Sequence, residues 1–197
     1  MSEGRKFAGG LLAAGVALMS GLATPAFAAA DGPGPNLVLE VAGQGNGRIV
    51  IDLLSDVAPE HAARLATLAQ SGAYDDVVFH RVIDGFMAQT GDVEHGKSGG
   101  NLRRAGTGGS DLPDLPAEFS KLPHARGTLG AARSANPNSA NSQFFINFKD
   151  NDFLNGQYTV YGRVIDGMAH VDRIARGEPP AEPDQMITVR VAADVQA

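Results

Sequence analysis

Two stretches of this sequence place polar groups among large apolar side chains. Phe79-His80-Arg81-Val82-Ile83-Asp84-Gly85-Phe86-Met87-Ala88-Gln89-Thr90-Gly91 carries one arginine and one glutamine in such a setting. Ser142-Gln143-Phe144-Phe145-Ile146-Asn147 is the second. In an extended strand, neighbouring side chains face opposite ways. His80 and Arg81 therefore part company, and so do Phe144 and Phe145. One phenylalanine can enter a core while the other stays available at the outer surface. The same pattern also fits a barrel wall with a surface arginine.

Other chemistries find less support. The five histidines, His61, His80, His95, His124 and His170, show no His-x-His or His-x-x-x-His spacing, so no metal site is expected. His61 and His170 read as surface residues of helices. Cysteine is absent, which removes disulfides, thiolate ligands and thiol nucleophiles. Ser142 lacks the flanking glycines of a nucleophile elbow. Gly106-Thr107-Gly108-Gly109 is not followed by Lys-Ser or Lys-Thr, so a phosphate loop is unsupported. A net charge of −6 argues against nucleic-acid binding, and Arg103-Arg104 is too short a basic run to reverse that.

The elements that would hold these residues are short. The 197 residues include 25 glycines and 11 prolines, a composition of many turns. Strands are expected at Leu37–Val41, Arg48–Leu53, Val77–Val82, Phe86–Gln89, Thr128–Ala132, Gln143–Asn147, Thr159–Val164 and Met186–Val191. Gly43 to Gly47 joins the first two, and Asp84-Gly85 joins the next pair. Pro59 opens a helix through Ala62, Leu65, Leu68 and Ala69 that Gly72 ends. Met168, Val171 and Ile174 mark a second helix, closed by Gly177. Asp92 to Pro116 is a long glycine-rich loop, of the kind that is functional or mobile. About eight strands and two helices suggest a barrel, since closure removes exposed edges, with the helices plugging its ends.

The N-terminus carries an address. Arg5 and Lys6 precede the apolar run Leu11 to Met19, and Ala26-Phe27-Ala28 is a small-x-small site. This three-part pattern predicts a signal peptide over residues 1–28, export to the periplasm or beyond, and cleavage after Ala28. The alternative is an uncleaved membrane anchor. Residues 29–36 then read as a flexible linker and 37–197 as one domain.

Phe79 to Asp92, Ala132 through Ile146 and Phe153 to Gly162 resemble, in order and spacing, three signature stretches of the cyclophilins. The likeness runs from about Asn36 to Val191. It implies a mainly β fold: a closed eight-stranded antiparallel barrel capped by two α-helices, with the active site on the outer wall. It implies peptidyl-prolyl cis-trans isomerase activity without metal or cofactor, on proline-containing polypeptides, by a monomer. By match to the family's motifs, Arg81 is the catalytic arginine. Phe86, Met87, Phe145 and Leu154 line a proline pocket, and Gln89 bonds the substrate backbone. Ala132, the Arg133 main chain and Gln143 complete the groove. Phe153 stands where many relatives carry tryptophan, and Tyr158 where they carry histidine. Without the indole N–H, cyclosporin binding is expected to be weak. Gly130-Ala131 replaces a frequent Ser-Met, a packing change near the site. Two other functions compete with turnover: a proline-peptide binding module, and a barrel binding a ligand such as carbohydrate. The second would favour exposed tryptophans, and the sequence has none.

Overall fold

The computed structural model describes residue 1 and residues 31–192. The predicted signal peptide lies outside the described residues. Nine strands form one antiparallel sheet: β1 (Asn36–Ala42), β2 (Gly47–Leu53), β3 (Val77–Val78), β4 (Arg81–Ile83), β5 (Met87–Thr90), β6 (Thr128–Ala131), β7 (Phe144–Asn147), β8 (Val160–Asp166) and β9 (Gln185–Val191). Their order across the sheet is β3-β9-β1-β2-β8-β6-β7-β5-β4.

The fold matches the expected class, with two corrections. The described residues form nine strands rather than eight. The ring is also not closed by a ladder, because the two edge strands are successive pieces of one segment. Phe79 and His80 interrupt it. Upstream, β3 pairs with β9, and the Phe79 N–H still reaches the Asp184 carbonyl at 2.9 Å. Downstream, β4 pairs with β5. The segment changes partner in midcourse, so the chain itself joins the two edges.

Alternation fills the interior. Leu37, Leu39 and Val41 from β1 meet Ile49, Ile51 and Leu53 from β2, with Leu129, Phe144, Ile146, Met186 and Val189 in the same core. Helix α1 (Pro59–Gln70) packs on β9 and β8 and adds Ala62, Leu65, Leu68 and Ala69 to that core. Pro59 sits in its first turn, where a missing N–H costs nothing. Ala58 offers no capping side chain. Glu118 caps from a distance instead, accepting the Glu60 and His61 N–H groups at 3.2 and 3.0 Å. The same carboxylate lies 2.6 Å from His61 Nδ1. His61 is thus 2% exposed, correcting its reading as a surface residue.

Helix α2 is shorter than expected. It spans Met168–Val171, and the chain continues as i→i+3 turns, with Arg173 and Ile174 donating to His170 and Val171. Gly177 does not close this helix. It bridges Val82 through paired bonds of 2.8 and 2.9 Å, so the turn after α2 is stitched to β4. At the other end of the domain, Gly32 N–H donates to Asp52 Oδ2 at 3.1 Å, and Asn36 already belongs to β1. Among the described residues, no helix is long and apolar enough to cross a membrane.

Candidate active site

The register of four strands sets the site. Arg81 on β4 pairs with Gln89 on β5, Gln89 pairs with Phe145 on β7, and Phe145 pairs with Gly130 on β6. Residues paired across a sheet share a face. One row therefore carries a guanidinium, an amide and a phenyl ring along the outer wall. Phe144 faces the other way into the core, edge-on to Tyr74 with centroids 5.9 Å apart.

Phe145 forms a small second cluster with Met87 and Leu154, against which Ile83, Phe86, Ala132 and Tyr158 pack. These side chains ring a cavity of about 130 Å³, lined by Arg81, Phe86, Met87, Gln89, Ala132, Arg133, Phe145, Leu154 and Tyr158. Nine of the residues singled out from the sequence thus meet at one place. Two stand beside it. Phe153 lies at the rim, 63% exposed, with its ring 5.5 Å from that of Phe86. Gln143 lines an adjoining polar cleft of about 260 Å³ with Gly106, Thr107, Gly108, Ser134, Ser139 and Asn141, and this cleft shares Gln89, Ala132 and Arg133 with the first.

Arg133 contributes its side chain as well as its main chain. The guanidinium lies 4.2 Å from the Tyr158 ring centroid and donates to the Ser134 and Gln157 carbonyls at 2.8 and 2.7 Å. It clamps Tyr158 against Phe145, whose rings meet nearly at right angles, 6.0 Å apart.

His124 was not among the residues expected at the site. It is fully buried and stacks on the hidden side of Phe145, centroids 5.8 Å apart and planes 19° apart. Its Nδ1 faces the Asn147 amide at 3.3 Å and its Nε2 faces the Tyr158 carbonyl at 3.2 Å. Those partners suit a neutral ring with the proton on Nε2. Burial pushes this imidazole below its usual range, against a smaller upward pull from the Tyr158 carbonyl. Glu178 was also unforeseen. Its Oε2 accepts from Arg81 Nε at 3.1 Å across a separation of 97 residues, so nothing local could announce it.

The long loop after β5 is built around one buried carboxylate. Asp92 Oδ1 accepts from the Glu94 and His95 N–H groups at 3.1 and 2.8 Å, and Oδ2 from those of Gly106 and Gly108 at 2.7 and 2.9 Å. The Gly108 carbonyl then accepts from Gln143 Nε2 at 2.7 Å, and Gln143 Oε1 from Gln89 Nε2 at 3.0 Å. The loop and the outer wall are thus one hydrogen-bonded unit. Burial by itself raises the Asp92 pKa, but the donors of His95, Gly108, Gly106 and Glu94 together outweigh it and hold the carboxyl below its usual range.

A depressed carboxyl stabilises the fold above its unfolded pKa, and that contribution disappears as pH falls through the folded value. Asp92→Asn keeps one acceptor but turns an N–H₂ toward N–H donors. It is expected to cost about 3 kcal/mol at neutral pH. The gap to the parent protein should begin to shrink below roughly pH 4, where the carboxyl of the unfolded chain protonates, and close as pH falls through the lower folded value. Urea unfolding of both proteins at neutral and acid pH measures this. A gap that stays constant with pH would show that the charge on Asp92 is not what organises the loop.

The fold is similar to that of solved cyclophilins. Cyclophilin AquaCyp293 from Hirschia baltica superposes with a TM-score of 0.71 at 24% identity, covering 83% of this chain and 76% of that one. A cyclophilin-type isomerase from Cryptosporidium parvum, crystallised in the presence of the dipeptide Ala-Pro, gives 0.68 at 23% identity, covering 79% and 98%. The sequence profile of the family described as "Cyclophilin type peptidyl-prolyl cis-trans isomerase/CLD" matches residues 37–192. A probable peptidyl-prolyl cis-trans isomerase of Brucella suis is 54% identical over 158 residues, spanning 77% of this chain and 81% of that one. Peptidyl-prolyl cis-trans isomerase B of Escherichia coli is 40% identical over 137 residues, spanning 66% and 79%. The chain belongs to the cyclophilin-type peptidyl-prolyl cis-trans isomerases.

Proposed function

We propose that the cavity beside Arg81 holds the proline ring of an X-Pro segment and that the Arg81 guanidinium stabilises the twisted amide. The observation that carries this reading is the in-register row Arg81, Gln89 and Phe145 lining one cavity with the apolar side chains Phe86, Met87 and Leu154. Amide resonance sets a rotational barrier of about 18–20 kcal/mol. Cis and trans X-Pro differ by only about 0.5–1 kcal/mol, so the task is kinetic. No bond to another atom has to form or break. The catalyst must bind the twisted amide better than either planar form.

Each group has a part in this scheme. Phe86, Met87, Phe145 and Leu154 hold the ring still while the acyl side rotates. Gln89 and the Arg133 main chain hold the peptide backbone. On twisting, the prolyl nitrogen pyramidalises and gains a basic lone pair. A guanidinium stays charged at physiological pH and offers donors in a fixed plane, suited to that lone pair. Each tenfold of rate needs about 1.4 kcal/mol of differential stabilisation. A charge-assisted hydrogen bond made chiefly in the transition state supplies energy of that order.

A protease-coupled assay on a proline peptide, run beside direct titration of that peptide, tests the reading. Expected are weak binding and turnover well above the uncatalysed rate. Binding without turnover would make the protein a proline-peptide binding module instead. Cyclosporin is proposed as a weak ligand only, because exposed Phe153 offers apolar surface at the rim and no N–H donor.

Export is proposed on the basic head, apolar run and Ala26-Phe27-Ala28 of the N-terminus. The clients would then be exported polypeptides. Intact-mass measurement on protein from the native host should show a chain beginning at Ala29. A full-length mass in the membrane fraction would instead establish an uncleaved anchor.

A further inference from the structure

We propose that Glu178 is a positioning residue for Arg81: its carboxylate fixes the plane of the guanidinium before substrate arrives. This rests on the reading of Arg81 as the donor to the twisted amide.

Arginine is a long side chain with much rotamer freedom, and an exposed one ordinarily samples several directions. Arg81 keeps 40% of its side chain exposed, so packing alone does not aim it. What it has is one directed bond, from Nε to Glu178 Oε2 at 3.1 Å. No other hydrogen bond of this side chain is present among the described residues. The grip therefore takes Nε and leaves both terminal nitrogens for substrate. Glu178 borders a cleft of about 340 Å³ on one side of Arg81 and does not line the cavity of Phe86, Met87 and Phe145, so it holds the guanidinium without filling the proposed proline site.

An exposed carboxylate positions its partner only if it is itself held. Here the backbone holds it. The turn after α2 runs antiparallel to β4, joined by the paired Val82–Gly177 bonds of 2.8 and 2.9 Å. Arg81 and Glu178 are the residues next to that bridge on one side. On the other, Arg176 Nε donates to Asp84 Oδ1 at 3.1 Å. Two ion pairs thus flank one backbone bridge, and only one of them touches the catalytic wall. Exposed ion pairs contribute little to folding. The Glu178 pair should therefore be visible in turnover and almost invisible in stability.

The second pair supplies the control. Glu178→Ala frees the guanidinium and is expected to lower kcat three- to tenfold, while the affinity for a proline peptide stays within twofold. Glu178→Gln, whose amide oxygen can still accept from Nε, should restore most of kcat. Asp84→Asn weakens the equivalent pair on the same clamp and should leave turnover unchanged. In an Arg81→Ala background, Glu178→Ala should have no further effect. These values come from exchange measurements between cis and trans peptide, with titration and thermal unfolding alongside.

The outcomes separate the two readings. If Arg81→Ala abolishes turnover but Glu178→Ala matches the parent, Glu178 does not position Arg81 and the arginine's role stands. If Glu178→Ala lowers kcat equally in both backgrounds, or Asp84→Asn lowers it as much, the pair acts through the fold and the proposal falls. If Arg81→Ala keeps its turnover, the reading of Arg81 itself fails.

Discussion

Arg81→Ala is expected to lower kcat/KM about a hundredfold while the affinity for a proline peptide changes less than threefold. The asymmetry follows from when the guanidinium is needed. A planar X-Pro amide has its nitrogen lone pair delocalised into the carbonyl and offers that nitrogen as no acceptor. Only near the twisted geometry does a basic lone pair appear. A donor aimed at it contributes to the transition state and hardly to the ground state, so the loss should fall on kcat. Removing one preorganised donor from such a site commonly costs 10²–10³ in rate. Arg81→Lys should recover little, because an ammonium cannot keep one donor on Glu178 and direct others at the substrate in a fixed plane. Phe145→Ala gives the contrasting pattern. It removes a wall used by planar and twisted substrate alike, so affinity and turnover should fall together. The coupled proline assay beside peptide titration decides between the two patterns. A folded Arg81→Ala protein with near-parental turnover would end the assignment of this residue.

Much of that wall was legible in the sequence, because a strand's period of two needs no partner to be read. Arg81, Gln89 and Phe145 alternate correctly within their own segments, and the antiparallel register only had to align them. Phe144 and Phe145 were separable on the same ground. The failures share a cause, which is a partner distant in sequence. Val77 to Val82 reads as one strand because its apolar character persists, yet its ladder passes from β9 to β5 at Phe79-His80. His61 looks polar on a helix, and only Glu118, 57 residues on, makes its burial tolerable. Ile174 continues the apolar spacing of α2, although the chain has already tightened into i→i+3 turns. His124 and Glu178 carry no local pattern at all. One stacks beneath Phe145 and the other grips Arg81, through contacts that only the folded chain brings together.

Gly130→Val is expected to lower the affinity for proline peptides tenfold or more and to destabilise the protein by about 1–3 kcal/mol. Gly130 faces Phe145 across the β6–β7 pair. A Cβ built on Gly130 would lie 2.2 Å from Phe145 Cζ and 2.6 and 2.8 Å from Cε2 and Cε1. The ring therefore occupies the space a side chain at 130 would take, and the glycine is required by that close approach rather than by its backbone angles. Any larger residue must move the ring or part the strands. The ring has His124 stacked beneath it, Tyr158 at its edge, and Met87 and Leu154 packed around it. Its open direction is the cavity of about 130 Å³ that the proline ring is proposed to fill. Phe145 should swing that way and occlude the site. Gly130→Ala should show the same effect to a smaller degree. Adding Phe145→Ala to Gly130→Val removes the clash, so stability should partly return while affinity stays low, because the wall is now missing. Denaturant unfolding and peptide titration on the four proteins give both quantities. A Gly130→Val protein that binds peptide and unfolds like the parent would mean that the strands can separate at this point, and that Phe145 is not held where its ring forms the wall.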